Sequence, residues 1–120
     1  MNMSAPNTNP RSVVKNITSD SNTVILDLTG DIDLHCATDL RGHLLETLQK
    51  KPQVLIINMT EVTFMDSSGL ATLVEALQLS RRYQGKLKLV GMQNRVRSIF
   101  EISKLDSIFQ IYQTQAEAMA

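Results

Sequence analysis

Apolar residues along this chain change rhythm at regular intervals, and each rhythm predicts an element. Residues from about Val13 to Thr18 read as a short strand, and Ser19-Asp20-Ser21-Asn22 as a turn cluster. Thr23-Val24-Ile25-Leu26-Asp27-Leu28-Thr29 is rich in β-branched residues and reads as a second strand. The two make a hairpin with a loop of about four residues. Gly30 closes the second strand, and Asp31-Ile32-Asp33 follows as a loop. From about Cys36 to Lys50 the apolar spacing becomes helical, with Ala37, Leu40, Leu44, Leu45 and Leu48 on one face. Gly42 inside this helix costs roughly 1 kcal/mol against alanine, so close packing is expected there. Val54-Leu55-Ile56-Ile57-Asn58-Met59 is almost continuously apolar, which suits a strand covered on both faces in a parallel sheet.

Thr60-Glu61-Val62-Thr63 is expected to turn the chain. A helix follows from about Ser68 to Gln84, burying Leu70, Leu73, Val74, Leu77 and Tyr83, with Ala71 and Ala76 at the margins. Gly85 is placed to stop it in the left-handed conformation. Lys86 to Val90 is another strand ended by Gly91. Asn94 is set to cap a helix that carries Val96, Ile99 and Phe100 on one face. A last short strand is expected at Phe109-Gln110-Ile111-Tyr112. Thr114-Gln115-Ala116-Glu117 has the form of a capping box that opens a terminal helix.

The resulting order, β-β-α-β-α-β-α-β-α, predicts an α/β fold. A small mixed, largely parallel sheet opens with a hairpin and is flanked by about four helices through right-handed crossovers. Residues 1–11 are polar and rich in Asn and Pro, so they are expected to be a disordered tail. One domain is expected over residues 12–120, and a chain of 120 residues buries enough surface to fold without disulfide or metal. Net charge is zero, which argues against binding nucleic acid by phosphate neutralisation and gives no attraction to an anionic membrane. A single cysteine, Cys36, no apolar run of transmembrane length and no signal peptide together predict a reducing, cytoplasmic setting.

Candidate chemistry is sparse. Walker, dinucleotide-binding and nucleophile-elbow glycine patterns are all absent. His35 and His43 are the only histidines, and they read as surface residues of the first helix rather than as parts of a Ser-His-Asp assembly. A zinc site would need Cys36, His35 and His43, which is one ligand too few, with His35 and Cys36 pointing apart. Asp31-Ile32-Asp33 after an apolar strand has the look of a phosphatase's aspartyl pair, but His35 breaks that motif and the chain is short for the remaining parts. Asp66-Ser67-Ser68-Gly69 stands where helical periodicity resumes. Free N–H groups and the dipole at a helix N-terminus tolerate a phosphoserine, and an unmodified serine there caps the helix.

Gly30-Asp31-Ile32-Asp33 and Val62-Thr63-Phe64-Met65-Asp66-Ser67-Ser68-Gly69-Leu70, in this order and separation, closely resemble the STAS domain of bacterial anti-anti-sigma factors, also called anti-sigma factor antagonists. The later G-K-L-K-L-V-G strand and its V-x-x-I-F helix extend the resemblance from about residue 12 to the C-terminus. The resemblance implies a regulator without catalysis, cofactor or metal. Ser67 would be the phosphorylated residue, with Ser68 as its competitor. The partner surface would comprise Gly30, Asp31, Ile32, Asp33, Asp66, Ser67, Ser68 and Gly69. The implied partners are an anti-sigma factor that is also a serine kinase and a serine phosphatase that resets the modified form. The unphosphorylated protein would bind the kinase and free the sigma factor. Two alternatives stand beside this: a STAS subunit of a lipid-transport or other regulatory complex without a phospho-switch, and a small phosphatase using Asp31.

Overall fold

The computed structural model describes residues 12–120 and the backbone of residues 2–6. Its strands are β1 (Asn2–Pro6), β2 (Val14–Asp20), β3 (Thr23–Ile32), β4 (Val54–Met65), β5 (Lys86–Val90) and β6 (Gln110–Tyr112). Its helices are α1 (Leu34–Gln49), α2 (Ser67–Arg82), α3 (Asn94–Ile102) and α4 (Gln115–Met119). The strands lie side by side in chain order in one sheet. The pairs β1–β2 and β2–β3 are antiparallel, and β3–β4, β4–β5 and β5–β6 are parallel. This is the mixed sheet with four helices that the apolar rhythm predicts. It also carries an unexpected first strand. Asn2–Pro6 lies within the stretch expected to be a disordered tail, yet it pairs with β2. A polar edge strand needs only main-chain partners, and composition does not show those.

Alternation along the strands divides the core. Leu26, Leu28, Leu55, Ile57, Leu87 and Leu89 point to one face, where they meet Leu40, Leu44 and Leu48 of α1, Leu73 and Leu77 of α2, and Val96 and Phe100 of α3. Phe100 meets Phe109 edge to face, with ring centroids 5.4 Å apart. On the opposite face Ile56 and Val90 pack against Ala118 of α4. Central strand β4 is therefore covered on both sides, as its unbroken apolar run requires.

Several local expectations give way to tertiary contacts. The hairpin loop is two residues, Ser21 and Asn22, with Ser21 at φ 54°. Strand β3 does not stop at Gly30 but continues through Asp31 and Ile32, and β4 does not turn at Thr60-Glu61-Val62-Thr63 but runs on to Met65. The two extensions pair with each other, and twice β4 carries one residue more than β3. Val62 and Met65 are fully buried, so this polar-looking segment is anchored to the core. Gly42 is exposed with open space where a Cβ would stand, and close packing plays no part there. At the end of α2 the left-handed residue is Gln84 (φ 62°), not Gly85. The Gln84 N–H donates to the Arg81 carbonyl and the Gly85 N–H to that of Ser80, which together make a Schellman motif. Gly85 instead makes room for Tyr83, whose ring carbon would lie 2.5 Å from an added Cβ. Helix α3 is entered from Gln93 without a side-chain cap, so Asn94 is its first residue rather than its cap. The terminal helix is capped by Thr114 as its sequence predicts, with Oγ1 accepting from the Glu117 N–H at 3.2 Å, but the Glu117 carboxylate accepts from the Thr114 hydroxyl at 3.1 Å instead of the Thr114 N–H, so only half of the capping box forms.

Gly42→Ala is expected to raise stability by about 1 kcal/mol, since the site is helical and open. Urea unfolding should show a higher midpoint with an unchanged slope.

Candidate functional site

Strands β3 and β4 are parallel neighbours, so their C-terminal ends lie together at one edge of the sheet, and each turns at once into a helix. The N-termini of α1 and α2 are thereby brought side by side. Asp33 and Asp66 are the two N-caps, both with extended backbone. Asp66 Oδ1 accepts from the N–H groups of Ser68 (2.9 Å) and Gly69 (3.2 Å). Its Oδ2 accepts from the Leu34 N–H at 3.2 Å, the first residue of the other helix. One carboxylate therefore holds the starts of both helices, and the Asp66 N–H donates to the Ile32 carbonyl at the end of β3.

Asp33 Oδ1 accepts from the His35 N–H at 2.9 Å. A capping box is completed by Cys36. Its sulfur accepts from the Asp33 N–H at 3.3 Å, and its S–H donates to the Asp31 carbonyl at 3.0 Å. Burial pushes the Cys36 thiol pKa up. Asp31 is exposed and accepts from Thr63 Oγ1 at 2.7 Å.

The two glycines serve geometry. Gly30 has φ +82°, where a side chain would be strained, and lies at the second register shift between β3 and β4. Gly69 is buried where a Cβ would stand 2.7 Å from Ile32 Cγ2 and 2.9 Å from the Ile32 carbonyl oxygen. Only a residue without a Cβ lets α2 begin this close to β3.

The structure thus joins the two motifs and redistributes their roles. The cap of α2 is Asp66 and not a serine. Ser67 is the first helical residue, exposed, and its hydroxyl has no hydrogen-bond partner among the described residues. Ser68 is half-buried, and its carbonyl accepts from Thr72 Oγ1 at 2.9 Å. Ile32 is fully buried and Gly69 is buried, so these two of the eight expected surface residues shape the surface from beneath. Leu34, 70% exposed, and Phe64, 41% exposed, stand on the surface instead. The apolar Leu34 directly after a capping aspartate was a readable sign of the first; nothing in the spacing marks Phe64. His35 is exposed, and His43 lies on α1 with Nε2 3.5 Å from Asp39 Oδ1. Among the described residues no group of three or more His, Cys, Asp or Glu side chains is arranged to hold a metal ion.

The profile of the STAS domain matches residues 14–118. The chain belongs to the STAS domain family. The anti-sigma-B factor antagonist of Listeria monocytogenes is 34% identical to this STAS domain over 98 residues, which are 82% of the chain and 86% of the relative. An anti-sigma factor antagonist from Mycobacterium paratuberculosis superposes with a TM-score of 0.79 at 22% identity, covering 86% of this chain and 87% of that one. The Bacillus cell fate determinant SpoIIAA in its phosphorylated form superposes with a TM-score of 0.66 at 24% identity, covering 83% of this chain and 90% of that one. These superpositions establish the shared fold.

Asp66→Ala removes three accepted hydrogen bonds and is expected to cost about 2 kcal/mol, the upper end for a lost cap. Asp66→Asn keeps the oxygen that faces Ser68 and Gly69 and is expected to cost less. Urea unfolding ranks the two, and hydrogen exchange at the Leu34 amide should accelerate in both. Because its pKa is raised, Cys36 holds less thiolate at pH 8 than an ordinary cysteine. It should react with a maleimide more slowly in the native STAS domain than in the urea-unfolded chain; equal rates would contradict the burial argument.

Proposed function

We propose that this STAS domain is an anti-sigma factor antagonist that binds an anti-sigma factor with serine kinase activity, and that phosphorylation of Ser67 ends the binding. The observation that carries the reading is the state of Ser67. Its hydroxyl is exposed at the mouth of α2 and has no hydrogen-bond partner among the described residues, while the cap is made by Asp66. A phosphoryl group can therefore be added there without undoing the local fold. In the transfer, the Ser67 oxygen bonds to the γ-phosphorus of ATP, the bond to the bridging oxygen breaks, ADP leaves and the hydroxyl proton is lost to the kinase site or solvent. Ser68 is the poorer acceptor, since it is half-buried.

Charge then does the work of the switch. The phosphate adds about −1.5 to −2 charges and three acceptor oxygens. The helix N–H groups that would ordinarily receive it, those of Ser68 and Gly69, are already bonded to Asp66. The neighbouring carboxylates of Asp31, Asp33 and Asp66 repel it. The dianion is thus presented outward, hydrated, and has to be desolvated before a partner can close over Leu34 and Phe64. A penalty of about 3 kcal/mol weakens binding a little over a hundredfold. No change of fold is needed.

On this reading the domain is a substrate and a signal carrier, acted on by the kinase and by a serine phosphatase that restores the hydroxyl. Among the described residues no helix is long and apolar enough to cross a membrane. A cytoplasmic setting, where ATP and the kinase are found, belongs to the same proposal.

Kinase and ATP should add one phosphate, and peptide mapping should place it on Ser67; a phosphate found on Ser68 would move the switch by one residue. Ser67→Ala should retain the wild-type affinity for the kinase, and Ser67→Asp should lose much of it in a calorimetric titration. Equal affinities would remove the charge mechanism.

A further inference from the structure

A cleft of about 460 Å³ lies between the last turns of α1 and α2. Ser67 opens α2 and the cleft lies at its other end, so about 24 Å of helix separate the two. Leu45 and Leu48 of α1, with Leu79 and the capping residue Tyr83 of α2, give the cleft an apolar lining. Tyr83 is seated from two sides. Gly85 leaves room for its ring, and its hydroxyl donates to the Pro52 carbonyl at 2.8 Å. The chain just beyond α1 is thereby tied to the end of α2. A space of this size falls within the range of small-molecule pockets, about 300 to 1,000 Å³.

The charges at the cleft are all of one sign. Lys51 and Arg82 line it, both exposed, and no aspartate or glutamate does. Neither cation has a hydrogen-bond or ion-pair partner among the described residues. A cation at a helix C-terminus commonly serves the dipole or the last carbonyls. Here Arg81 donates to the Ile108 carbonyl at 3.1 Å, and the carbonyls of Leu48, Ser80 and Arg81 accept from the N–H groups of Lys51, Gly85 and Gln84. The rest of the polar lining is neutral. Gln49 carries an amide, and burial pushes the Tyr83 pKa up and keeps its phenol protonated. In a chain of zero net charge, two cations without an anion are a local excess.

We propose that this cleft binds a small amphiphilic anion, an apolar chain ending in a carboxylate or phosphate. The chain lies against Leu45, Leu48, Leu79 and Tyr83, and the head group meets Lys51 and Arg82. The apolar lining by itself would accept any hydrocarbon. The two cations select one with a negative end, and the guanidinium can hold an oxyanion through two parallel N–H bonds. A neutral chain would leave both cations uncompensated, and a cationic one would be repelled. The site does not rest on the reading of Ser67. None of its lining residues belongs to the two motifs, and Asp66 holds the opposite ends of the same helices.

Decanoate, decyl phosphate and decanol, titrated into isotope-labelled protein and followed by amide chemical shifts, test the proposal. At least one of the two anions should give saturable shifts centred on Leu45, Leu79 and Tyr83, and the tighter of the two names the head group. Decanol should bind about tenfold more weakly or not at all. Lys51→Glu and Arg82→Glu should each weaken the anion by about tenfold, and Arg82→Gln by less. Arg95→Glu, exposed on α3, should leave binding unchanged. Both Lys51 and Arg82 are exposed, so the thermal midpoint should hold in every variant; if a charge reversal lowers it, Arg82→Gln carries the test. The proposal is overturned if neither anion saturates at millimolar concentration, if the shifts map elsewhere, if decanol binds as tightly, or if the charge variants bind as the wild type does. Vesicles of phosphatidylglycerol are the remaining arm. If they bind the protein through Arg82 while neither free anion does, the cleft is a membrane contact and its assignment to a small ligand falls.

Discussion

The carboxylate of Asp66 is the interaction on which the site depends. One oxygen receives two N–H groups of α2, and the other receives the first N–H of α1. Two parallel strands bring two helix N-termini together, and each terminus carries unsatisfied donors and partial positive charge. A single anion between them satisfies three donors and fixes the separation of the helices. Because Asp66 does this, the next residue is left with nothing structural to do. Ser67 is exposed and its hydroxyl has no partner among the described residues, since its neighbour has taken the capping role.

The same economy runs through the surrounding residues. Gly69 allows α2 to start against Ile32, and Gly30 takes the positive φ beside the shift that brings Asp31 opposite Phe64. Asp33 and Cys36 close the other helix start in a capping box that uses a thiol where a glutamate or glutamine is usual. The result is a platform with three carboxylates, two exposed apolar side chains and the exposed hydroxyl of Ser67. Such a platform suits the switch by charge proposed for Ser67.

Arg41 and Glu75 tie α1 to α2 one step further along. Arg41 is exposed and Glu75 half-buried, so solvent screens the pair and it adds little stability.

The chain order of strands and helices was legible in the sequence because it rests on apolar periodicity, which burial enforces residue by residue: Leu55 and Ile57 alternate with Ile56, and Leu40, Leu44 and Leu48 recur at helical spacing. The Thr114 cap of the terminal helix was legible for a similar reason, since its partner lies three residues away. The two motifs could be named from the sequence, and Ser67 singled out by resemblance. Their division of labour could not be, because every decisive partner is distant in the chain: Leu34 lies 32 residues from Asp66, and Thr63 lies 32 residues from Asp31. The lengthening of β3 and β4, the pairing of Asn2–Pro6 with β2, the openness around Gly42 and the burial of Ile32 were likewise settled by neighbours that local composition does not contain. Sequence fixes what each segment tends to do alone; tertiary structure decides which donor reaches which acceptor, because a hydrogen bond or a buried contact requires two groups to meet in space.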